Sequence, residues 1–126
     1  MAVKVERLSG TSGFLRAVAR EADPRDEVRI ALGKEVPWGQ ARRTLKDLPR
    51  VQVLVDPRAN PPAPDTVKGE MRERPWIPQN LALVEPDTIL VEVSFGGLVG
   101  DHFLLKITDA GTFKYLLYRA WMEAWK

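Results

Sequence analysis

Apolar and polar residues alternate in several short segments of this chain, and this period of two restricts the fold more than any other feature. Residues 88–95 and 103–107 both alternate in this way, and the Gly-rich stretch 96–101 joins them. Such alternation is typical of strands with one buried face, and a short Gly-rich connection is typical of a hairpin. The pattern therefore predicts a β-hairpin in which Glu92 and Lys106 pair across the outer face.

Two further alternating segments, residues 27–32 and 51–55, flank a segment with helical spacing of its apolar residues. In that segment Trp38, Leu45 and Leu48 lie on one stripe. Two strands joined by a helix within about 30 residues usually form a parallel crossover. Because the strands are apolar mainly on one face, we expect the helices to cover mainly one face of the sheet.

These patterns predict an α+β fold, built as a single domain over residues 1–126. We expect a mixed sheet of four to five strands with helices mainly on one face. A Pro-rich extended arm over residues 56–80 interrupts the domain, and an aromatic helix over residues 112–126 ends it.

Composition excludes several kinds of site and compartment. The 126 residues include no Cys and one His, so a disulfide framework, a thiolate metal site and a multi-histidine site are all excluded. We predict no catalytic residues, no metal and no other cofactor. No segment has the length or apolarity of a membrane span or secretory signal, which predicts a cytoplasmic protein, or part of a virion if the source is viral.

The segment 56–80 contains six of the ten prolines of the chain. A connection of this length without regular structure is unusual in a small domain. Near its end, Trp76 and Ile77 lie between two prolines and could anchor a stiffened arm. Docking on a neighbouring subunit and packing on its own domain both remain open for these two residues.

The predicted C-terminal helix carries two apolar stripes instead of one. The first runs through Phe113, Leu117 and Trp121, and the second is formed by Tyr115, Tyr118, Met122 and Trp125. A terminal helix needs a single apolar face to pack on its own domain. Because Tyr, Trp and Met are enriched in interface cores, the second stripe predicts a protein interface. Burial of both stripes within the chain is the alternative.

The arm and the helix together favour a non-enzymatic role in protein–protein interaction. We expect a structural subunit that docks into a larger assembly, such as a virion or phage assembly protein, or a small factor that binds a host machine. Its partners would be other protein subunits, identical or different, with a homo-oligomer among the expected forms and no membrane contact. The predicted interface residues are Tyr115, Tyr118, Met122, Trp125, Trp76 and Ile77.

Two alternatives belong to other functional classes. A nucleic-acid-binding module would use the basic cluster of Arg42, Arg43, Lys46 and Arg50, with Trp38 and Trp76 available to stack on bases. The net charge of +2 is low for this role. A small enzyme would use Asp101 and His102, with Ser94 across the hairpin as the nearest hydroxyl nucleophile.

Overall fold

The computed structural model describes residues 3–8, 14–23, 26–33, 43, 45–48, 50–59, 69–77, 80–94, 102–109 and 111–126. Within these residues the chain forms two helices of a full turn or more with complete bounds and seven strands, together with a 3-10 turn at Pro57–Ala59. The elements are, in order, β1 (Lys4–Leu8), α1 (Phe14–Glu21), β2 (Val28–Leu32), β3 (Val51–Val55), β4 (Glu70–Glu73), β5 (Asn80–Val84), β6 (Thr88–Ser94), β7 (His102–Thr108) and α2 (Thr112–Trp125).

The strands form one mixed sheet in the order β1-β7-β6-β5-β2-β3-β4. The pairs β2–β3 and β3–β4 are parallel, and the other neighbours are antiparallel. The predicted α+β class, the β2–β3 parallel pair and the β6–β7 hairpin are therefore confirmed. The predicted number of four to five strands is wrong, because the sheet has seven.

One unexpected strand lies within the predicted arm. β4 occupies the edge of the sheet beside β3, and only Met71 among its side chains packs against the apolar core. The chain enters β4 at Gly69, where a side-chain Cβ would lie 1.7 Å from the carbonyl oxygen of Val51. Only glycine permits this approach of the two backbones. Residues 70–73 are thus part of the chain's own sheet.

Apolar side chains cover both faces of the sheet. On the first face, α1 and the helical residues Arg43, Leu45 and Lys46 lie over the sheet, with Leu45 and Leu48 buried in its core. On the second face, α2 packs against Leu54, Leu83 and other strand residues. The prediction that helices lie mainly on one face is therefore wrong.

One face of α2 accounts for its packing. Its buried and half-buried residues are Lys114, Leu117, Tyr118, Trp121, Met122 and Trp125, which follow the i, i+3, i+4 spacing of a single helix face. This face takes members from both of the stripes that the sequence suggested. Neither helix with complete bounds in the described part of the chain is long and apolar enough to cross a bilayer.

The sheet has two distinct edges along the strand direction. The strands β1, β2, β3, β4 and β6 all end at one of them, which we call the carboxyl edge, and β5 and β7 begin there. The opposite edge, where β2 and β3 begin, is the amino edge. Because α2 follows the end of β7, it begins at the amino edge and ends at the carboxyl edge.

Candidate functional site

Several strands end at the carboxyl edge, so the segments that follow them begin there. The sequences that follow β1, β2, β3 and β6 all leave the sheet from this edge. In sheets with parallel strands, ligands bind beyond the carboxyl ends of those strands, where the connecting segments meet. The described side chains at this edge form an ordered polar cluster.

The centre of the cluster is the ion pair between Asp56 and Arg58. Asp56 directly follows β3 and its side chain is 1% exposed. The Arg58 guanidinium donates from Nε to both carboxylate oxygens and from Nη2 to Oδ2, the last at 2.6 Å. The backbone N–H groups of Arg58 and Ile77 donate to the same carboxylate. The two charged residues are only two positions apart in the sequence: Asp56 directly precedes the 3-10 turn, and Arg58 is the middle residue of that turn.

The ionisation of Asp56 follows from these contacts. Hydrogen bonds from the Arg58 side chain hold the pKa of Asp56 far below its usual range, and the two backbone donors and the charge of Arg58 act in the same direction. Burial of the carboxyl group acts to raise the pKa, but its effect is smaller than that of the hydrogen bonds and the positive charge together. The same contacts raise the pKa of Arg58. Both groups are therefore charged throughout the physiological range, and the orientation of the guanidinium is fixed.

Trp76 lies on this fixed guanidinium. The Arg58 Cζ atom is 4.5 Å from the centroid of the indole ring, which is the geometry of a cation–π contact. The side chain of Trp76 is nevertheless 76% exposed, whereas Trp121 and Trp125 are buried. Its backbone has φ of 63°, in the left-handed region that bulky residues rarely adopt. We call Asp56, Arg58 and Trp76 the Trp76 platform.

Other polar groups continue along the same edge. The Asn80 side chain accepts a hydrogen bond from the Gly33 N–H at 2.8 Å and donates one to Glu92 at 2.8 Å. These bonds join the start of β5 to the ends of β2 and β6. Ser94 and His102 are paired in the register of β6 and β7, so the backbone of His102 also lies at this edge.

The platform is suited to stacking on a planar group. One side of the indole is occupied by the guanidinium, and most of the ring faces solvent. Arg58 keeps Nη1 free of the hydrogen bonds to Asp56, so a charged donor remains next to the ring. An exposed aromatic ring with an adjacent cation is the arrangement that binds nucleobases and the phosphates attached to them.

The structure separates the basic residues that the sequence grouped together. Arg43 and Lys46 are exposed on the helical segment of the first face, while Arg50 is exposed at the amino edge, where its carbonyl accepts from the Val28 N–H. Arg42 lies outside the described residues, as do Trp38 and Asp101. The side chains of Ser94 and His102 are not described either, so of the predicted acid–base pair Asp101 and His102 only the backbone of His102 is described.

The predicted protein-interface residues lie in several different environments. Trp125 is buried and stacks on Trp121 with ring centroids 5.0 Å apart, and Tyr118, Met122 and Ile77 are half-buried against the same core. Tyr115 and Trp76 are exposed, at opposite edges of the sheet. Four of the six residues thus contribute to the chain's own core.

Asp56 and Arg58 are not among the site residues that the sequence predicts. An acidic residue directly after a buried strand was the available signal, since such positions lie at the carboxyl edge of a sheet. The described part of the chain contains no group of three or more His, Cys, Asp or Glu side chains that could hold a metal ion.

Comparisons with known proteins show which fold this is. No family model and no curated protein sequence matches the chain. Among solved structures, the chain is similar to Nuc from Salmonella typhimurium, a phospholipase D family member, with a TM-score of 0.63 and 13% identity over 98% of this chain and 93% of Nuc. It is similar to NucT from Helicobacter pylori, with a TM-score of 0.61 and 11% identity over 98% of this chain and 94% of NucT.

A third similar structure is TrmBL2, described as an archaeal chromatin protein with a novel mode of DNA binding. Its TM-score is 0.61 and its identity is 14%, over 98% of this chain and 52% of TrmBL2. At these identities the likeness shows a shared fold.

These comparisons correct the main functional prediction. A non-enzymatic structural or assembly subunit was expected, but the fold is shared with a member of an enzyme family and with a DNA-binding protein. The physical reason lies in α2, whose two apolar stripes predict one core face and one interface. In the structure, they contribute to one buried face, so the principal signal for a protein interface is lost.

Proposed function

We propose that this protein binds single-stranded nucleic acid at the carboxyl edge, with a base stacked on Trp76. The observation that carries the proposal is the Trp76 platform: a tryptophan residue that is 76% exposed, with its indole on a guanidinium that a buried carboxylate holds in place. Burial of an exposed indole face against a base is a large source of binding free energy, about 1–3 kcal/mol per stacked base.

The geometry favours an unpaired strand over a duplex. Bases inside a duplex already stack on one another, so an indole at the surface of a protein reaches a base only when that base is unstacked. The fixed orientation of Arg58 limits the entropy lost when the ring is covered. The fold likeness to a DNA-binding chromatin protein supports the same class of ligand.

Exposed basic residues supply contacts to phosphates. Residues 1–50 contain eleven basic and seven acidic residues, whereas residues 81–126 contain four basic and six acidic ones. Arg43 and Lys46, which were predicted as nucleic-acid contacts, are exposed on the segment that leads from β2 to β3. We assign them to phosphates of the bound strand that lie away from the stacked base.

Hydrolysis of a phosphodiester is the second candidate function. The fold likeness to a phospholipase D family member favours it, because nucleic acids and phospholipids share the phosphodiester group. His102, the only histidine of the chain, begins β7 at the same edge as Trp76 and opposite Ser94. A histidine there would act as nucleophile or general base on a bound phosphodiester.

Fluorescence anisotropy with a labelled single-stranded oligonucleotide tests the binding proposal. Trp76→Ala is expected to weaken binding by about 5- to 150-fold, from the stacking free energy. Tyr115→Ala is the matched control, since Tyr115 is an exposed aromatic residue at the opposite edge, and its affinity should equal that of the parent. Equal affinities for the parent and Trp76→Ala, or no binding by the parent at low salt, would contradict the proposal.

Gel analysis of the same oligonucleotide after incubation with protein and divalent cations tests hydrolysis. Cleavage that is lost in His102→Ala would establish the second candidate. Binding without cleavage would remove that candidate and leave the binding proposal intact.

A further inference from the structure

A cavity lies at the amino edge, one strand length away from the Trp76 platform. Its volume is about 340 Å³, and its lining includes Glu27, Arg29, Glu85, Lys114, Tyr115 and Tyr118. Pockets for small molecules begin at about this size. The cavity lies between the start of β2, the turn from β5 to β6 and the first turn of α2, so three separate parts of the chain form it.

One buried and one partly buried cation meet at a single carboxylate oxygen in this cavity. Lys114, with a side chain 7% exposed, is 2.9 Å from Oε1 of Glu85. Arg29, with a side chain 12% exposed, reaches the same oxygen through Nη1 at 3.2 Å. Glu85 itself is 35% exposed and lies at the rim. Buried cations are costly to maintain, and apolar residues of similar size would pack the start of α2 at lower cost.

The two cations offer more donors than the protein accepts. Lys114 has three N–H donors and Arg29 has five. Within the described residues, Lys114 contacts Glu85, and Arg29 contacts Glu85 through Nη1 and Glu27 through Nη2. The Nε of Arg29 is buried and has no hydrogen-bond partner among the described residues. Since this atom is closed to solvent, the donors that a ligand in the cavity can reach are those of the Lys114 ammonium and of the Arg29 Nη groups.

Aromatic rings complete the cavity. The Arg29 guanidinium lies 4.7 Å from the ring centroid of Tyr118, which fixes its plane. Tyr115 lies one helical turn from Tyr118 and is exposed at the mouth of the cavity. The N–H groups of Gly111, Phe113 and Lys114 are all occupied by Asp109, so the start of α2 is already capped and the cations are the groups left to bind a ligand.

We propose that this cavity binds a small organic oxyanion, a carboxylate or a phosphate monoester, between Lys114 and Arg29. The oxygens of the ligand would accept from the free N–H donors of Lys114 and from the Arg29 Nη1, in place of Glu85, while the carbon skeleton lies against Tyr115. Glu85 holds the two cations in place in the empty cavity and competes with the ligand for them. The site is independent of nucleic-acid binding at the carboxyl edge.

Calorimetric titration with inorganic phosphate and, separately, with succinate tests the proposal at constant ionic strength. Lys114→Met is expected to weaken binding by about tenfold or more, because a buried charge-assisted contact is lost. Lys106→Met is the matched control, since Lys106 also forms a partly buried ion pair, with Glu21, and it should bind as the parent does. Glu85→Gln is expected to strengthen binding, because it removes the one carboxylate that both cations contact and leaves the cations in place.

The outcomes separate the alternatives. Binding of phosphate alone identifies a phosphate monoester as the ligand class, and binding of succinate alone identifies a carboxylate. The proposal is overturned if the parent binds neither anion, or if Lys114→Met and Lys106→Met change the affinity equally. Should Lys114→Met fail to fold, Glu85→Gln decides, because an unchanged or weaker affinity in that variant contradicts competition at the two cations.

Discussion

At the scale of single residues, Trp76 combines two unfavourable features that a purely structural residue would not keep. Its indole is exposed, and its backbone occupies the left-handed region, which costs roughly 1–2 kcal/mol for a residue with a Cβ. The Arg58 contact and the hydrogen bond from the Ile77 N–H to Asp56 hold this conformation. Strained residues that surrounding contacts hold in place are concentrated at functional sites.

Replacement of Trp76 by glycine should separate stability from binding. Glycine adopts a positive φ without strain, which offsets the lost cation–π contact and the greater freedom of the unfolded chain. The free energy of unfolding of Trp76→Gly should therefore stay within about 1 kcal/mol of the parent, while oligonucleotide affinity falls at least about fivefold. Urea unfolding and anisotropy measure the two quantities. A stability loss much larger than this would identify Trp76 as a structural residue.

Asp56 should make stability depend on pH in the acid range. Because its pKa is lowered in the folded state, its contribution is fully present above the pKa of an unfolded aspartate, about 3.9, and is lost as the pH falls through the folded value. Asp56→Asn should be less stable than the parent at pH 7, and the difference should shrink as the pH falls below about 4. Urea midpoints at neutral and acid pH provide the measurement, and a difference that is independent of pH would refute this assignment.

At the scale of secondary-structure elements, α2 is the helix that covers the second face of the sheet. Trp121 is buried, stacks on Trp125 and donates from Nε1 to the Ile30 carbonyl at 3.4 Å. At the end of α2, Arg72 and Arg74 of the β4 segment donate to its last carbonyl groups. Cations at a helix C-terminus satisfy free carbonyls and interact favourably with the helix dipole.

Truncation of Trp121 should be far more costly than truncation of an exposed residue on the same helix. Trp121→Ala removes a buried ring and a hydrogen bond and should lower the free energy of unfolding by about 3–5 kcal/mol. Leu116→Ala, at an exposed position of α2, should change it by less than about 0.5 kcal/mol. Denaturant unfolding of both variants tests the packing of α2, and similar small losses in both would contradict it.

Strands with their own alternating pattern could be predicted from the sequence. A strand that forms only because it pairs with a distant part of the chain could not. Alternation located β2, β3, β6 and β7, but β4 has little apolar pattern and forms because its backbone pairs with β3. The predicted pair of Glu92 and Lys106 is wrong, because Glu92 lies opposite Leu104 and Lys106 opposite Leu90. Their side chains bind elsewhere, Glu92 to Asn80 and Lys106 to Glu21.

The candidate site could be predicted only in part, because it also depends on contacts between distant segments. Trp76 could be selected from the sequence as an aromatic residue in a Pro-rich segment, and the basic cluster could be selected by charge. Arg58 could not be predicted as the partner of Trp76, because their contact forms only when the chain returns from β4 to the end of β3. The sequence separation of eighteen residues does not indicate that the two segments meet at one edge of the sheet.

At the scale of the whole molecule, the low net charge limits how the proposed nucleic-acid ligand can be bound. A chain of charge +2 can neutralise few phosphates, so stacking must supply a large share of the affinity. The fold, shared with Nuc, NucT and TrmBL2, places both candidate sites on the same sheet but at opposite edges. Ligands of the two sites therefore need not compete.

The salt dependence of oligonucleotide binding should consequently be shallow. With two or three phosphate contacts, the slope of log K against log salt is expected to be about −1 to −2 for a single strand. Arg43→Gln or Lys46→Gln should each reduce the slope by somewhat less than one, whereas Trp76→Ala should lower affinity at every salt concentration with the slope unchanged. Anisotropy titrations over a range of salt concentrations provide the data, and a much steeper slope would indicate binding dominated by phosphates.

Contact between Trp76 and a nucleic-acid base at the carboxyl edge can be detected by photo-crosslinking. The protein is irradiated with a single-stranded oligonucleotide that contains iodouracil, and the crosslinked peptides are identified by mass spectrometry. We expect the principal crosslink at Trp76. Crosslinks confined to the exposed aromatic residues of α2 at the amino edge, or no crosslink despite binding, would contradict it.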